Sequence, residues 1–408
     1  MKILLKLAWR NVLRNKRRTL LSGLAVGIGL ASMIFVNAVF SGMLQSMIRT
    51  ATDTFIGQGQ IHAKGFRDTL EVEKTIENPG SVIKQLGREN MLACFTPRTV
   101  SFSMLSSAGG VKSVMLYGIK PGSEMKISIL DESITNGRYL DNDNRGMILI
   151  GSKTAETLNV EVGDRLVVTV AQAYSGELSQ EMFRVGGIFR MGIREADSGL
   201  AFINIKKAQE LLGIGNNIHE IALRFKDIEM AGDPALPFWR KYSRNGNEAI
   251  SWKTMVPQLD SVIEMSHIST GITLLLVFGI IGLTIMNSLF MSLYERMFEF
   301  GVLRAIGTRP VSMAIIILLE ASILAVISIL AGSLLGYAVT KYFSVNGINY
   351  KGIEFAGLTI TKFIYPVFSP EQFTLYPLLI IIFSLTAAIY PAVFAARLTP
   401  ARAMRRSI

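Results

Sequence analysis

Long apolar runs alternate with polar stretches along the chain, and four of these runs are long enough to cross a membrane. They cover residues 19–43, 269–294, 311–340 and 375–396. A hydrocarbon core about 30 Å thick requires about 20 helical residues to cross it. The pattern therefore predicts an α-helical membrane protein with four transmembrane helices.

A long polar stretch at residues 44–268 separates the first two apolar runs. Short runs rich in branched residues predict strands, and segments of helical period predict short helices between them. The predicted strands are 60–63, 111–119, 147–150, 165–170, 183–188 and 220–225, and the predicted helices are 81–88, 153–158 and 205–212. We predict a large mixed α/β domain outside the membrane, with a β-rich insert at about residues 133–201 between the two halves of an α/β layer.

The second transmembrane helix is expected to begin before it reaches the membrane. No helix breaker interrupts the run from residue 258, just after Pro257, to residue 294. A helix of this length measures about 55 Å, against about 30 Å of hydrocarbon. The sequence thus predicts a stalk that starts near residue 258.

Charge is distributed unevenly between the polar domain and the rest of the chain. Hydrophobic residues make up 50% of the sequence and charged residues 18%, which excludes a disordered chain. The polar domain carries 25 basic and 26 acidic residues, and the remaining segments carry 17 basic and 5 acidic ones. Because the basic excess does not cover a folded surface, a nucleic-acid partner is not expected.

Basic residues collect at one end of each apolar run. Seven lie in residues 1–18, three in 295–310 and four in 397–408. Since Lys and Arg favour cytoplasmic flanks, both termini are predicted to be cytoplasmic and the polar domain periplasmic. Residues 1–18 have the pattern of an amphipathic elbow helix in contact with membrane lipids, 397–408 form a cytoplasmic tail, and the 341–374 loop is outside.

No motif in the sequence supports catalysis or a bound cofactor. Residues 146–154 resemble a phosphate-binding loop, but Ser152 is one residue too many and moves the lysine out of register. The histidines His62, His219 and His267 are isolated, which gives no basis for a metal site, and Cys94 has no second cysteine with which to form a disulfide. The chain is not expected to be an enzyme.

The inner loop at residues 295–310 has an informative pattern. Its charged residues Glu295, Arg296 and Glu299 lie on adjacent turns, other positions form an apolar face, and Gly307 and Pro310 end the segment. The pattern predicts a short amphipathic helix parallel to the membrane. A solvated connector is the alternative.

The E-R-x-x-E-x-G-x-L-R-A-x-G pattern of residues 295–307 resembles the coupling helix of bacterial ABC permeases of the FtsX/MacB/LolC-LolE superfamily. Residues 8–21, 148–164 and 390–405 resemble the first segment, the outer-domain core and the ending of the same superfamily. The resemblance implies a MacB-like periplasmic core domain and a dimer with an identical or paralogous second permease. It also implies two copies of a separate cytoplasmic ATPase that binds ATP and Mg. The implied ATPase-coupling residues are Glu295, Arg296, Glu299, Gly301, Arg304 and Gly307.

Within the superfamily, residues 59–65 and 300–310 look most like the LolE-like branch. Such permeases are thought to use ATP-driven mechanotransmission to extract lipoproteins from the inner membrane and pass them to a periplasmic carrier. Two alternatives stay open: a MacB-type efflux permease with an adaptor and outer-membrane duct, and an FtsX-type permease that activates an envelope hydrolase.

An apolar wall between helices one and two is a candidate entry for acyl chains. Its predicted members are Met33, Phe35, Val36, Phe40, Leu275, Phe278 and Ile281.

Two small-xxx-small patterns predict close helix packing in lipid. Gly23 and Gly27 lie on helix one, and Gly332 and Gly336 lie on helix three. Packing within one chain is the alternative for each pair, but we favour helix one as a dimer contact.

Glu320 is the single carboxylate inside a predicted transmembrane helix. An unpaired charge at that depth is costly, so a partner is required. Thr386 on helix four and Asn287 on helix two lie at similar depth, which predicts a structural hydrogen bond between helices three and four. A part in a moving interface is the alternative.

Overall fold

A computed structural model describes residues 2–142, 145–350, 354–355, 358–359 and 363–399. Its helices are α1 (Lys2–Arg14), α2 (Lys16–Ala51), α3 (Phe66–Thr69), α4 (Pro79–Leu86), α5 (Pro121–Glu124), α6 (Ser152–Leu158), α7 (Arg194–Gly199), α8 (Ile205–Leu212), α9 (Ile228–Ala231), α10 (Pro237–Tyr242), α11 (Trp252–Met255), α12 (Pro257–Glu295), α13 (Met297–Ala305), α14 (Pro310–Asn346) and α15 (Pro370–Ala396). Most of the predicted cytoplasmic tail, residues 400–408, lies outside the described residues.

The strands are β1 (Gly59–Ala63), β2 (Leu92–Ser107), β3 (Gly110–Ile119), β4 (Ile134–Gly137), β5 (Met147–Gly151), β6 (Arg165–Ala171), β7 (Leu178–Phe189), β8 (Leu200–Asn204), β9 (Glu220–Phe225), β10 (Asn247–Ser251), β11 (Glu354–Phe355) and β12 (Leu358–Thr359). A π-helical turn, Thr52–Ile56, follows α2 directly.

The chain divides into two compact units. The membrane unit contains Met1–Gln45, Ile263–Tyr350 and Lys362–Ile408, and the outer domain contains Ser46–Val262 and Lys351–Thr361. Among the described residues, four helices are long and apolar enough to cross a membrane, which confirms the predicted fold class. They are Lys16–Ile56, Pro257–Glu295, Pro310–Asn346 and Pro370–Ala396.

Three of these helices greatly exceed the thickness of a bilayer. The run from Lys16 to Ile56 has 41 residues, α12 has 39 and α14 has 37, so each is about 55–60 Å long. α12 begins at Pro257, next to the predicted start of the stalk. Side chains from α2, α12, α14 and α15 form one apolar core in the membrane unit, with Leu30, Ile285, Ile317 and Ile380 fully buried.

The two glycine patterns pack against each other within the chain. A Cβ added at Gly332 on α14 would lie 2.6 Å from the carbonyl oxygen of Gly27 on α2, and one at Gly336 would lie 3.2 Å from the Cα of Ala31. Gly23 faces Ser328 of α14. The dimer contact that we predicted through Gly23 and Gly27 is therefore wrong, because α14 of the same chain already covers this face of α2.

The outer domain is built on one ten-stranded sheet in the order β10-β1-β9-β2-β3-β8-β5-β7-β4. β6 pairs with both β2 and β7, which closes β2, β3, β8, β5, β7 and β6 into a ring around a filled apolar core. The predicted β-rich insert is therefore not a separate body. Its strands share that core with β2, β3 and β8, and β5 also buries its other face, where Met147 and Leu149 join a second apolar cluster.

Replacing Gly332 with Ala should destabilise the membrane unit. The new methyl group meets the backbone of Gly27, and overpacking of this kind costs about 1–3 kcal/mol. We expect a lower thermal unfolding midpoint for the full chain in detergent. Gly279→Ala is the matched control, because a Cβ there meets nothing within 4 Å. Equal midpoints for the two variants would contradict the close crossing of α2 and α14.

Candidate functional site

A buried ion pair joins the inner loop to α14. Nη1 of Arg296, the residue between α12 and α13, donates to Oε1 of Glu320 over 2.6 Å. The two side chains are only 8% and 4% exposed. The Arg296 guanidinium also lies 5.0 Å from the centre of the Phe300 ring. Glu320 is thus paired by a charge from its own chain.

The elbow helix α1 contributes to the same cluster. Ala8 and Val12 are its buried residues, and α1 packs against α14. The Nδ2 of Asn11 donates to Oε1 of Glu320 over 2.7 Å, and Nη1 of Arg14 donates to Oε1 of Glu299 over 2.7 Å. The hydrogen bond that we predicted between Glu320 and Thr386 is wrong, because Thr386 donates to the carbonyl of Phe383 in its own helix.

The charges of the cluster balance. Arg18 at the start of α2 donates to Glu295 over 2.7 Å, and Arg296 donates to Glu299 over 3.1 Å. Three arginines, counting Arg14, therefore face three carboxylates. Burial alone would raise the pKa of Glu299, but the hydrogen bonds from Arg14 and Arg296 outweigh it and lower the pKa of that carboxyl. Glu299 stays ionised at neutral pH and bridges α1 to α13.

We call these eight residues the inner charge cluster: Asn11, Arg14, Asn15, Arg18, Glu295, Arg296, Glu299 and Glu320. Asn15 belongs to it because its Nδ2 donates to Glu295 over 3.4 Å. The loop motif pointed to Glu295, Arg296 and Glu299, but the sequence analysis missed the contribution of the elbow helix to this cluster. Basic residues at helical spacing were the available signal, and they equally fit contact with acidic lipids.

α13 has one face inside the protein and one outside. Met297, Phe300 and Gly301 are buried. At helical spacing on the other side, Phe298 is 51% exposed, Val302 40% and Ile306 74%. A solvated connector would not be expected to keep three large apolar side chains exposed in this way.

The end of α13 is fixed by local hydrogen bonds. Thr308 donates its N–H to the carbonyl of Leu303, and Nη1 of Arg304 donates to the carbonyl of Thr308 over 3.1 Å. Gly307 adopts a φ of 95°, which a side chain would disfavour. The predicted coupling residues Arg304 and Gly307 thus hold the shape of the loop.

The residues of the predicted apolar wall differ in their exposure. Met33, Phe278 and Ile281 are buried in the core of the membrane unit, so they do not line an open cavity. Val36 and Leu275 are 51% and 64% exposed. The half-buried ring of Phe35 packs against that of Phe343, with a 5.3 Å separation of ring centres, and Phe40 is half-buried as well. Asn287 on α12 is exposed.

The outer domain carries an exposed apolar surface that the sequence analysis missed. We call it the outer sheet face, and it lies on the outer side of β2, β3, β6 and β7. Strand register aligns Val167 with Met182, and Arg165 with Arg184 beside them. Its exposed apolar side chains are Phe102, Met104, Val111, Leu178 and Met182.

The arginine pair at one edge of the outer sheet face is unusual, because like charges directly opposite each other destabilise a sheet. Arg165 and Arg184 are both exposed. The alternation of side chains along β6 and β7 was the available signal for this surface. It did not show that no other element covers the outward-facing positions.

Glu320→Gln should destabilise the protein markedly. It leaves Arg296 buried with Glu299 as its remaining carboxylate, and breaking a buried pair costs about 3–5 kcal/mol. We expect the free energy of unfolding in detergent to fall by about 3 kcal/mol, and Glu320→Leu with Arg296→Leu to recover part of it. Glu295→Gln is the control, because its pair with Arg18 is more exposed and should matter by less than about 1 kcal/mol. A silent Glu320→Gln would show that the pair adds no stability.

Comparison with known proteins agrees with this architecture. Residues 19–232 match the family model of the MacB-like periplasmic core domain, and residues 271–400 match that of the FtsX-like permease C-terminal region.

Several relatives carry related names. The "lipoprotein-releasing system transmembrane protein LolC" of Xylella fastidiosa is 26% identical, and the match covers 96% of each chain. LolE of Haemophilus influenzae is 23% identical over 84% of each chain. The "macrolide export ATP-binding/permease protein MacB" of Neisseria gonorrhoeae is 25% identical over 82% of this chain and 52% of its own length. The chain therefore belongs to the FtsX/MacB/LolC-LolE superfamily of ABC transporter permeases, as a membrane protein with a MacB-like periplasmic core domain.

Proposed function

We propose that the chain is the permease subunit of an ABC transporter that extracts lipoproteins from the inner membrane and passes them to a periplasmic carrier. The observation that carries the permease mechanism is the inner charge cluster, which joins the inner loop, from the end of α12 to α13, to α1, α2 and α14. The cargo assignment is supported by relatives named LolC and LolE that match over most of their length.

The exposed face of α13 is the docking surface for a cytoplasmic ATPase. Phe298, Val302 and Ile306 form an apolar strip beside charged residues already paired within the chain. Such a strip fits a hydrophobic cleft on a partner. Two copies of this ATPase, each binding ATP and Mg, would serve a pair of permease chains, and this chain would hold no cofactor.

The inner charge cluster connects the docking surface to the membrane helices. Movement of α13 displaces Arg296 and Glu299, and their partners lie on α14 and α1. Because the Arg296–Glu320 pair is buried, separating it is costly, so the helices move together. This is the behaviour expected of a transporter driven by mechanical transmission.

Orientation in the inner membrane follows from charge. Most of the basic excess flanks the inner ends of the long helices, which favours cytoplasmic termini and a periplasmic outer domain. A second permease protomer, identical or paralogous, would complete the transporter. Val36 and Leu275 remain candidates for contact with lipoprotein acyl chains, since both are exposed.

The outer sheet face is the surface proposed for the periplasmic carrier. Its centre is apolar and one edge presents Arg165 and Arg184. A partner with an apolar centre and an acidic margin complements both features. An adaptor-linked efflux permease and a signalling permease remain alternatives, and the second experiment below distinguishes them.

Changing Phe298 and Ile306 to Ser should weaken binding of the ATPase. Loss of apolar anchors at the centre of an interface commonly costs about 2 kcal/mol or more, which lowers affinity by more than about tenfold. We expect less ATPase to copurify and lower ATP hydrolysis in liposomes. Val162→Ser is the control, because Val162 is a comparably exposed residue of the outer domain. Full ATPase binding by the double variant would rule out this docking face.

The complete complex in liposomes should release a lipoprotein to a soluble carrier only when ATP is present.

Arg165→Glu with Arg184→Glu should reduce release at least tenfold while ATP hydrolysis continues, because the acidic margin of the carrier is then repelled. Arg240→Glu with Arg244→Glu makes the same charge change at exposed positions in α10 and shortly before β10, and should leave release intact.

Absence of ATP-dependent release by the unmodified complex would contradict lipoprotein release and favour efflux or signalling. Release that is equal in both charge-reversed variants would instead exclude the outer sheet face as the carrier site.

A further inference from the structure

The outer end of the first membrane helix is bound inside the outer domain. Here α2 passes into the π-helical turn Thr52–Ile56, which Gly57 closes by donating its N–H to the carbonyl of Thr52. The last carbonyl groups of a helix have no partner in the helix itself. Three of them accept from the outer domain: Asp53 from the N–H of Ile129, Phe55 from Nη2 of Arg98, and Ile56 from Nε2 of Gln60.

Arg98 is the centre of this arrangement and is completely buried. Its Nη2 lies 2.7 Å from the carbonyl oxygen of Phe55, and its guanidinium lies 3.9 Å from the centre of the Phe55 ring. Two carboxylates hold the guanidinium in place. Nε and Nη2 donate to the two oxygens of Glu124, and Nη1 donates to Glu220 over 2.8 Å.

These partners belong to the framework of the outer domain. Arg98 lies on β2 directly opposite Glu220 on β9, and Glu124 ends α5. Burial alone would lower the pKa of Arg98, but the two carboxylates outweigh it and raise the pKa of the guanidinium. A fixed positive charge also suits the negative end of a helix dipole.

Burying Arg98 together with two carboxylates costs free energy, as buried charges at functional sites often do. Removing a guanidinium and two carboxylates from water is expensive, and apolar side chains of similar volume frequently give equal or greater stability. Stability of the sheet alone does not explain why a charge lies at this point. The hydrogen bond from Arg98 to the Phe55 carbonyl explains it, because this bond fixes the direction of the helix end, whereas apolar packing would only bury it.

We infer that Arg98 is a positioning residue that locks the outer end of the first membrane helix into the outer domain, so that displacement of the helix moves the domain. The inference rests on the proposed function, since it specifies how the ATP-driven movement reaches the periplasmic side. Arg98 is completely buried within the outer domain, and it acts through the Phe55 carbonyl and the two carboxylates.

The lock is tested first by a distance within the outer domain. Spin labels are attached at Arg49→Cys on the last turn of α2 and at Lys153→Cys on α6, both exposed, in a Cys94→Ser full-length chain in nanodiscs. The test variant combines Arg98→Met, Glu124→Gln and Glu220→Gln, which leaves no unpaired charge. Leu211→Ala is the matched control, because it weakens the buried core of the ring away from this cluster.

We expect a narrow distance distribution for the unmodified chain and for Leu211→Ala, and one at least twofold broader for the triple variant. Arg98→Lys keeps the charge but not the forked geometry, and should give an intermediate width. A triple variant as narrow as the unmodified chain would overturn the inference. Equal broadening in Leu211→Ala would also overturn it, because the effect would then reflect general loss of stability.

The second measurement is the amount of lipoprotein released per ATP hydrolysed by the reconstituted complex. The triple variant should lower this ratio about tenfold with ATP hydrolysis retained, and Leu211→Ala should leave it unchanged. An unchanged ratio in a triple variant with a broadened distance would reduce Arg98 to a structural role and refute the inference. If the unmodified complex releases no lipoprotein, the proposed function fails, while the distance measurement still decides whether the lock exists.

Discussion

A carboxylate among apolar helices needs a partner, and the pairing of Glu320 with Arg296 determines much of the membrane unit. Arg296 leaves the end of α12 and reaches α14, so the inner loop turns back against the helices. Asn11 binds the same carboxylate and brings the elbow helix to this point. The buried ion pair and the burial of Met297 and Phe300 together hold α13 in place, and its apolar strip is left on the outside.

The architecture could be predicted from the sequence where one physical signal dominates. Apolar length identified the four membrane helices, and short runs rich in branched residues identified β1, β3, β5, β6, β7 and β9. β2 was missed although it has 16 residues, because Pro97 and several serines and threonines interrupt its apolar pattern. Most of those polar side chains are buried, whereas Phe102 and Met104 on the same strand are exposed, so polarity along β2 does not follow its burial.

The sites were harder to predict because their partners are distant in sequence. Asn11 lies 309 residues from Glu320, and Arg98 lies 122 residues from Glu220. In a sequence, a buried arginine looks like a surface arginine. The membrane helices posed the opposite difficulty, since a helix that is apolar all round does not reveal which side meets lipid. Phe278 is buried and Leu275 is exposed, although the two residues are only one turn apart on α12.

The crossing of α2 and α14 at Gly27 and Gly332 has a mechanical consequence. Backbone touches backbone there, so no side chains interlock between the two helices at that point. Ridges of large side chains resist rotation because rotamers must change before one ridge can pass another. Because no side chains need repacking at this backbone contact, a small change in the crossing angle of α2 and α14 would leave the contact itself intact.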